Sequence, residues 1–170
     1  MSVSRDWLRT PSGSAVTSHL SPPRAAVPTA DGPGTAEPSA VCALRPVPES
    51  VKIGRDFTRA TLRQWNMAGV NDLAELVVSE LVTNALRHGI PSARRLTEDC
   101  PIQLKLLGEA PYLMCMVTDP GAALPVRRES GPFAESGRGL NVVESCCIRW
   151  GWHLLDGGGK VVWAMLQPDG

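Results

Sequence analysis

Apolar positions along this chain follow two spacings, and the switches between them outline the elements. Val41, Ala43 and Leu44 make a short apolar run that stops at Pro46 and Pro48, which predicts a strand. Between Glu49 and Asn66 the larger apolar groups fall at Val51, Phe57, Leu62 and Trp65, with Gly54, Ala60 and Thr61 small enough to pack on the same side. That spacing predicts a helix. Its other side carries Lys52, Arg55, Arg59 and Arg63, a stripe that suits either a solvated face or an acidic partner. After a turn at Met67 to Asn71, residues Asp72 to His88 read as a second helix, with Asn71 or Asp72 as its cap and Gly89 as its close. Leu73, Ala74, Val77, Val78, Leu81, Val82, Ala85 and Leu86 cover more than half its circumference, so it should be largely buried. The remaining arc holds Ser79, Glu80, Thr83, Asn84, Arg87 and His88.

Downstream the pattern is mostly that of strands. Ile102 to Leu107 and Tyr112 to Thr118 flank a Gly108-Glu109-Ala110-Pro111 turn and predict a hairpin. Asp119 to Gly139 is rich in Gly, Pro, Ser and charge, and a loop of that length in a small domain is usually functional. Leu140 to Cys147 predicts a short helix. Ile148, Trp150, Trp152 and Leu154 alternate with polar or small residues, and Val161 to Leu166 follows a glycine turn at 157 to 159, giving two last strands.

The chain has 170 residues, of which residues 1–40 contain six Pro, three Gly, seven Ser and four Thr, half of that segment. With Trp7, Leu8 and Leu20 as almost its only large apolar groups, the segment has too little surface to bury against its ordering entropy, and it is expected to be a disordered tail. Residues 41–167 then form one domain. The 17 basic and 17 acidic side chains leave no net charge, which removes the simplest argument for a nucleic-acid or membrane-surface binder. No apolar run reaches membrane-spanning length and no signal-peptide core opens the chain, so a cytoplasmic protein is expected. The five cysteines lack a C-x-x-C spacing, and His19, His88 and His153 form no metal-spaced set, which argues against a disulfide scaffold or a zinc site.

Three short motifs carry chemistry. Glu80 and Asn84 stand four apart on the second helix and so lie over one another, with His88 continuing the column. A carboxamide oxygen is a hard ligand for Mg²⁺ and a carboxylate beside it can accept a proton from an attacking hydroxyl, though the same spacing also fits a wet helix face. Asp119-Pro120-Gly121 ends an apolar strand. A carboxylate there needs a donor, and an exocyclic amine such as adenine N6 would serve; the alternative is an ordinary turn starter. Gly137-Arg138-Gly139-Leu140 opens a helix, where exposed N–H groups and the positive end of the dipole favour an anion. It is not a P-loop, because no Gly-Lys-Ser or Gly-Lys-Thr follows.

In this order the motifs resemble those of the ATP-binding domain shared by DNA gyrase, heat-shock chaperones, sensor histidine kinases and mismatch-repair ATPases, the Bergerat fold. Glu80 to Gly89 looks like its N-box, Asp119-Pro120-Gly121 like its first glycine box and Gly137-Arg138-Gly139-Leu140 like its second. Trp150-Gly151 and Gly159-Lys160-Val161-Val162-Trp163 are similar to features of the small bacterial anti-sigma-factor serine kinases.

The resemblance implies an α+β two-layer sandwich, a mixed and mostly antiparallel sheet covered by three helices, with ATP held between the helical layer and a lid. It implies that Asn84 takes Mg²⁺, that Glu80 is the base activating a serine of a protein substrate, and that Asp119 binds adenine N6 with Gly121 lining the base pocket. Gly137, Arg138, Gly139 and Leu140 would form the phosphate-side hinge and helix start, and Arg87 would contact phosphate. His88 fits a helix C-terminal residue favoured by the dipole. The implied function is an ATP-dependent protein serine kinase that phosphorylates an antagonist protein and sequesters a sigma factor or similar regulator, with a homodimer plausible. The alternative is a non-catalytic binding module. Two departures bear on that alternative: Ala123 stands where the first glycine box usually has its second glycine, and Val161 stands where many relatives have a threonine supporting the aspartate.

Overall fold

The computed structural model describes residues 38–90, 102–109, 111–125 and 139–167. The expected tail lies almost wholly outside them. In chain order the elements are β1 (Ser39–Leu44), α1 (Ser50–Gln64), α2 (Asn71–Asn84), β2 (Ile102–Glu109), β3 (Tyr112–Asp119), α3 (Gly139–Cys146), β4 (Arg149–Leu154) and β5 (Lys160–Leu166). These are the elements that the two periodicities predict, with ends shifted by a few residues. β1 starts at Ser39, two residues before the apolar run, because Ser39 and Ala40 pair with Leu107 and Leu106.

The five strands form one sheet in the order β1-β2-β3-β5-β4. Of the mixed, mostly antiparallel sheet that was expected, every described pairing is antiparallel. β2 with β3 and β4 with β5 are antiparallel neighbours in sequence, whereas β5, last in the chain, lies between β3 and β4.

Alternation along each strand decides what meets the helices. Leu44, Ile102, Leu104, Leu106, Leu113, Cys115, Val117, Val162, Ala164 and Leu166 point into the helical layer. There they meet Leu62 of α1, Ala74, Val77, Val78, Leu81 and Val82 of α2, and Val143 of α3. Each fully buried Leu or Val contributes about 1.5–3 kcal/mol, so α2, in the middle, is held mainly by burial. Trp150 and Trp152 of β4 pack onto the same core, whereas Ile148 and Leu154, expected to share their face, are exposed.

The sheet's other face has a smaller apolar cluster, Met114, Trp163 and Met165, flanked by Leu107, Tyr112 and Met116. The Trp163 ring lies over Gly151, its cross-strand partner; a Cβ there would come within 2.9 Å of the ring.

Helix ends depart from the expected caps. α1 closes on Asn66, whose φ of 55° is left-handed, with Asn66 N–H donating to Arg63 O (3.3 Å) and Met67 N–H to Leu62 O (2.9 Å). That paired pattern satisfies the last carbonyls, and Asn tolerates the conformation better than most residues. α2 starts directly from a 3-10 turn at Ala68–Val70 and has no side-chain cap. Asn71 instead donates from Nδ2 to Glu75 Oε1 (2.7 Å), because Glu75 is already drawn to Arg59 by two bonds of 2.8 and 2.5 Å. Those bonds hold the Glu75 carboxyl below its usual range.

The basic stripe is therefore largely spoken for. Arg59 clamps α1 to α2, Lys52 pairs with Asp56 at 2.6 Å, and Arg55 reaches Ser79. Among the described residues no helix is long and apolar enough to cross a membrane.

Candidate functional site

The end of β3 brings the first charged group inward. Asp119 continues the inward series Leu113, Cys115, Val117, and only 2% of it is exposed. A carboxylate so placed is costly unless it is paired. Its partner is Lys160, at the inward first position of β5 and 3% exposed, whose Nζ donates to Asp119 Oδ1 at 2.7 Å. Gly121 N–H donates to the same oxygen at 2.9 Å, and Lys160 Nζ also reaches Gly121 O at 3.3 Å. Burial pushes the Asp119 carboxyl up; the Lys160 ammonium and the Gly121 N–H oppose that shift without cancelling it.

Two findings here differ from expectation. Val161 lies on the opposite face from Asp119, since neighbouring strand residues alternate, and it pairs with Thr118 and His153. The residue beside the carboxylate is Lys160. Sequence reasoning missed this partnership, although one signal was available: a lysine in phase with Val162, Ala164 and Leu166 needs a buried counter-charge. Gly89 is the second. The helical run does close there, through a π turn at Ala85–Gly89 into an extended Ile90, but Gly89 is not left-handed as a helix-closing glycine usually is. What requires glycine is Asp119: a Cβ on Gly89 would collide with its Cβ, Cγ and Oδ1. Gly89→Ala is expected to destabilise the fold by about 1–3 kcal/mol, as overpacking does, read as a shift in the denaturant midpoint. An unchanged midpoint would show that the close packing is not needed.

The second grouping lies on α2. The Glu80 and Asn84 side chains, both half-buried, converge on the first residue of α3: a Cβ on Gly139 would stand 2.5 Å from Glu80 Oε2 and 3.6 Å from Asn84 Oδ1. Two residues likened above to the N-box thus meet the start of the segment likened to the second glycine box. Asn84 Nδ2 is buried and has no hydrogen-bond partner among the described residues. A carboxamide with one end unsatisfied is suited to a ligand, and its two ends are told apart only by the partners they find. The helix widens into its π turn immediately after Asn84, a deviation common at functional positions.

The other expected site residues are less clustered. Arg87 is exposed and, with Thr83, Leu86 and Ile90, lines a groove of about 430 Å³ against Pro46, Pro48 and Val51. His88 is exposed, Leu140 is buried in the first turn of α3, and Gly121 is buried against Gly89. Gly137 and Arg138 lie outside the described residues. Burial pushes the Cys115 and Cys147 thiols up to about 12, which makes both poor nucleophiles.

Comparison with known proteins bears on this geometry. A model of the histidine kinase-like ATPase domain matches residues 44–166. No curated relative matches the sequence. Among solved structures the chain is similar to the crystal structure of the RsbU and RsbW domains of Rv1364c from Mycobacterium tuberculosis, with a TM-score of 0.56 and 16% identity over 78% of this chain. At that identity the likeness shows the fold, and this chain covers 33% of that one, about a third of its length.

Proposed function

The chain belongs to the histidine kinase-like ATPase domain family, and from that premise we propose that it binds Mg-ATP as a cytoplasmic serine kinase, acting on an antagonist protein and sequestering a sigma factor or similar regulator. The observation that carries the reading is the convergence of Glu80 and Asn84 at the start of α3, with the Asn84 carboxamide unsatisfied on one end. These residues fit a metal-bound triphosphate. Asn84 would hold Mg²⁺ through its carboxamide oxygen, and the ion would neutralise phosphate charge. Gly139 and Leu140 at the positive end of α3 would orient the phosphates, and Glu80 would take the proton of the substrate serine hydroxyl as it attacks. Asp119 would accept from the adenine amine at the other end of the site. The likeness in fold to a protein carrying an RsbW domain supports the regulatory part of the reading.

One observation favours a second reading, a binding module with a vestigial nucleotide site: the carboxylate that would read adenine is already paired with Lys160. Titration calorimetry separates the two. A working site is expected to bind ATP at least tenfold more tightly with Mg²⁺ than with chelator, and Asn84→Ala is expected to remove that difference. Identical heats for wild type and Asn84→Ala would sink the kinase reading. The partner is best sought by capture with and without Mg-ATP, followed by phosphosite mapping.

A further inference from the structure

The wild-type pairing of Asp119 with Lys160 leaves particular valences unused. Three N–H groups belong to the Lys160 ammonium; one goes to Asp119 Oδ1 at 2.7 Å and a second, longer one to Gly121 O at 3.3 Å. Both recorded bonds to the carboxylate, from Lys160 and from Gly121 N–H, land on Oδ1. Among the described residues no recorded bond reaches Oδ2, and two acceptors are recorded for the three ammonium hydrogens. The pair therefore offers one free acceptor beside one free donor.

We propose that Lys160 is a base-recognition residue: the Asp119–Lys160 pair reads two adjacent atoms of an adenine edge, the carboxylate taking the exocyclic amine and the ammonium donating to ring nitrogen N1. The proposal rests on the ATP-binding reading above and adds a residue to it. Adenine presents an N–H donor at position 6 next to a lone-pair acceptor at position 1, the complement of what the pair leaves open. A carboxylate alone answers only the donor. Val161, on the far face of the sheet, supplies nothing here, so Lys160 is the side-chain donor that the described structure places at the carboxylate. The same geometry explains why a lysine is tolerated among Val162, Ala164 and Leu166: Asp119 offsets its charge, and a bound base would occupy its last hydrogen.

The test uses three ligands on the intact protein by calorimetry: Mg-ATP, the 1-deaza analogue with C–H in place of N1, and the purine riboside triphosphate that lacks the 6-amino group. Wild type is expected to bind the 1-deaza analogue about tenfold or more weaker than ATP, the loss of one hydrogen bond to a charged donor. Lys160→Met is expected to lose a similar factor for ATP and to bind ATP and the 1-deaza analogue alike. Equal wild-type affinity for those two, with a penalty only on removing the 6-amino group, overturns the role of Lys160 and leaves ATP binding standing. No wild-type binding of any of the three overturns the ATP reading, and this inference with it. The wild-type comparison needs no variant, so it decides the matter even if Lys160→Met does not fold.

Discussion

Lys160→Met is expected to destabilise the fold by about 3–5 kcal/mol near neutral pH, the usual cost of removing one partner of a buried ion pair. Both side chains are almost fully buried, and among the described residues the substitution would leave Asp119 with only the Gly121 N–H at Oδ1. A methionine fills most of the lysine's volume, so the loss reports the stranded carboxylate more than a cavity. The sign of the pH dependence follows from the same group. Burial already raises the Asp119 carboxyl above its ordinary value of 3.8 while Lys160 is present, and removing the ammonium raises it further. A carboxyl raised on folding contributes its stability below the unfolded value and loses it as pH climbs through the folded one. The deficit of Lys160→Met should therefore be small near pH 4, widen toward neutrality and close again on acidification. Adding Asp119→Asn should recover most of it, because the double variant strands no charge. Denaturant unfolding of wild type, the two single variants and the double variant at several pH values measures this; a deficit that is flat with pH, or unrelieved by the second change, would show that the pair is not the source.

How much of this was legible beforehand depends on the range of the contacts. The helices at Val51 to Trp65 and Leu73 to Leu86, the hairpin after Ile102 and the final pair of strands follow from local spacing, and the three motifs lie where that spacing puts them. The family likeness ordered them into one site, and Glu80, Asn84 and Gly139 do come together. What sequence reasoning lacked are contacts between distant residues. Asp119 and Lys160 are 41 positions apart, and only the sheet register, which pairs them across β3 and β5, turns two isolated charges into one feature. Gly89 looked like a helix stop because local rules favour glycine there; its neighbour Asp119, 30 positions on, is the actual reason for it. Asn71 looked like a cap until Glu75 and Arg59 competed for its side chain. In each case a tertiary partner overrode a correct local tendency. The π turn after Asn84 has no local signature of that kind, since Ala85 and Leu86 are ordinary helix formers.

Under the serine-kinase function proposed above, Glu80→Gln is expected to lower phosphoryl transfer to the partner's serine by about 10²–10⁴-fold while leaving Mg-ATP affinity within a few-fold of wild type. The pairing of a large rate effect with a small binding effect follows from where Glu80 sits. Its Oε2 packs against Gly139, and Gln keeps that shape, so α3 and the neighbouring Asn84 should hold their places. What Gln lacks is a site for the serine proton. The hydroxyl would then have to attack without a base positioned beside it, and the barrier rises by the contribution that such a base normally makes. Asn84→Ala separates the roles, because it should weaken Mg-ATP binding itself and lower transfer through occupancy. Single-turnover transfer at saturating Mg-ATP, run beside calorimetry on both variants, distinguishes the two. If Glu80→Gln transfers at the wild-type rate, proton removal occurs elsewhere. If it loses binding and transfer together, Glu80 belongs to the nucleotide's own ligand set. The expected split, with binding assigned to Asn84 and proton transfer to Glu80, would make this helix column the place where the chain's chemistry is done.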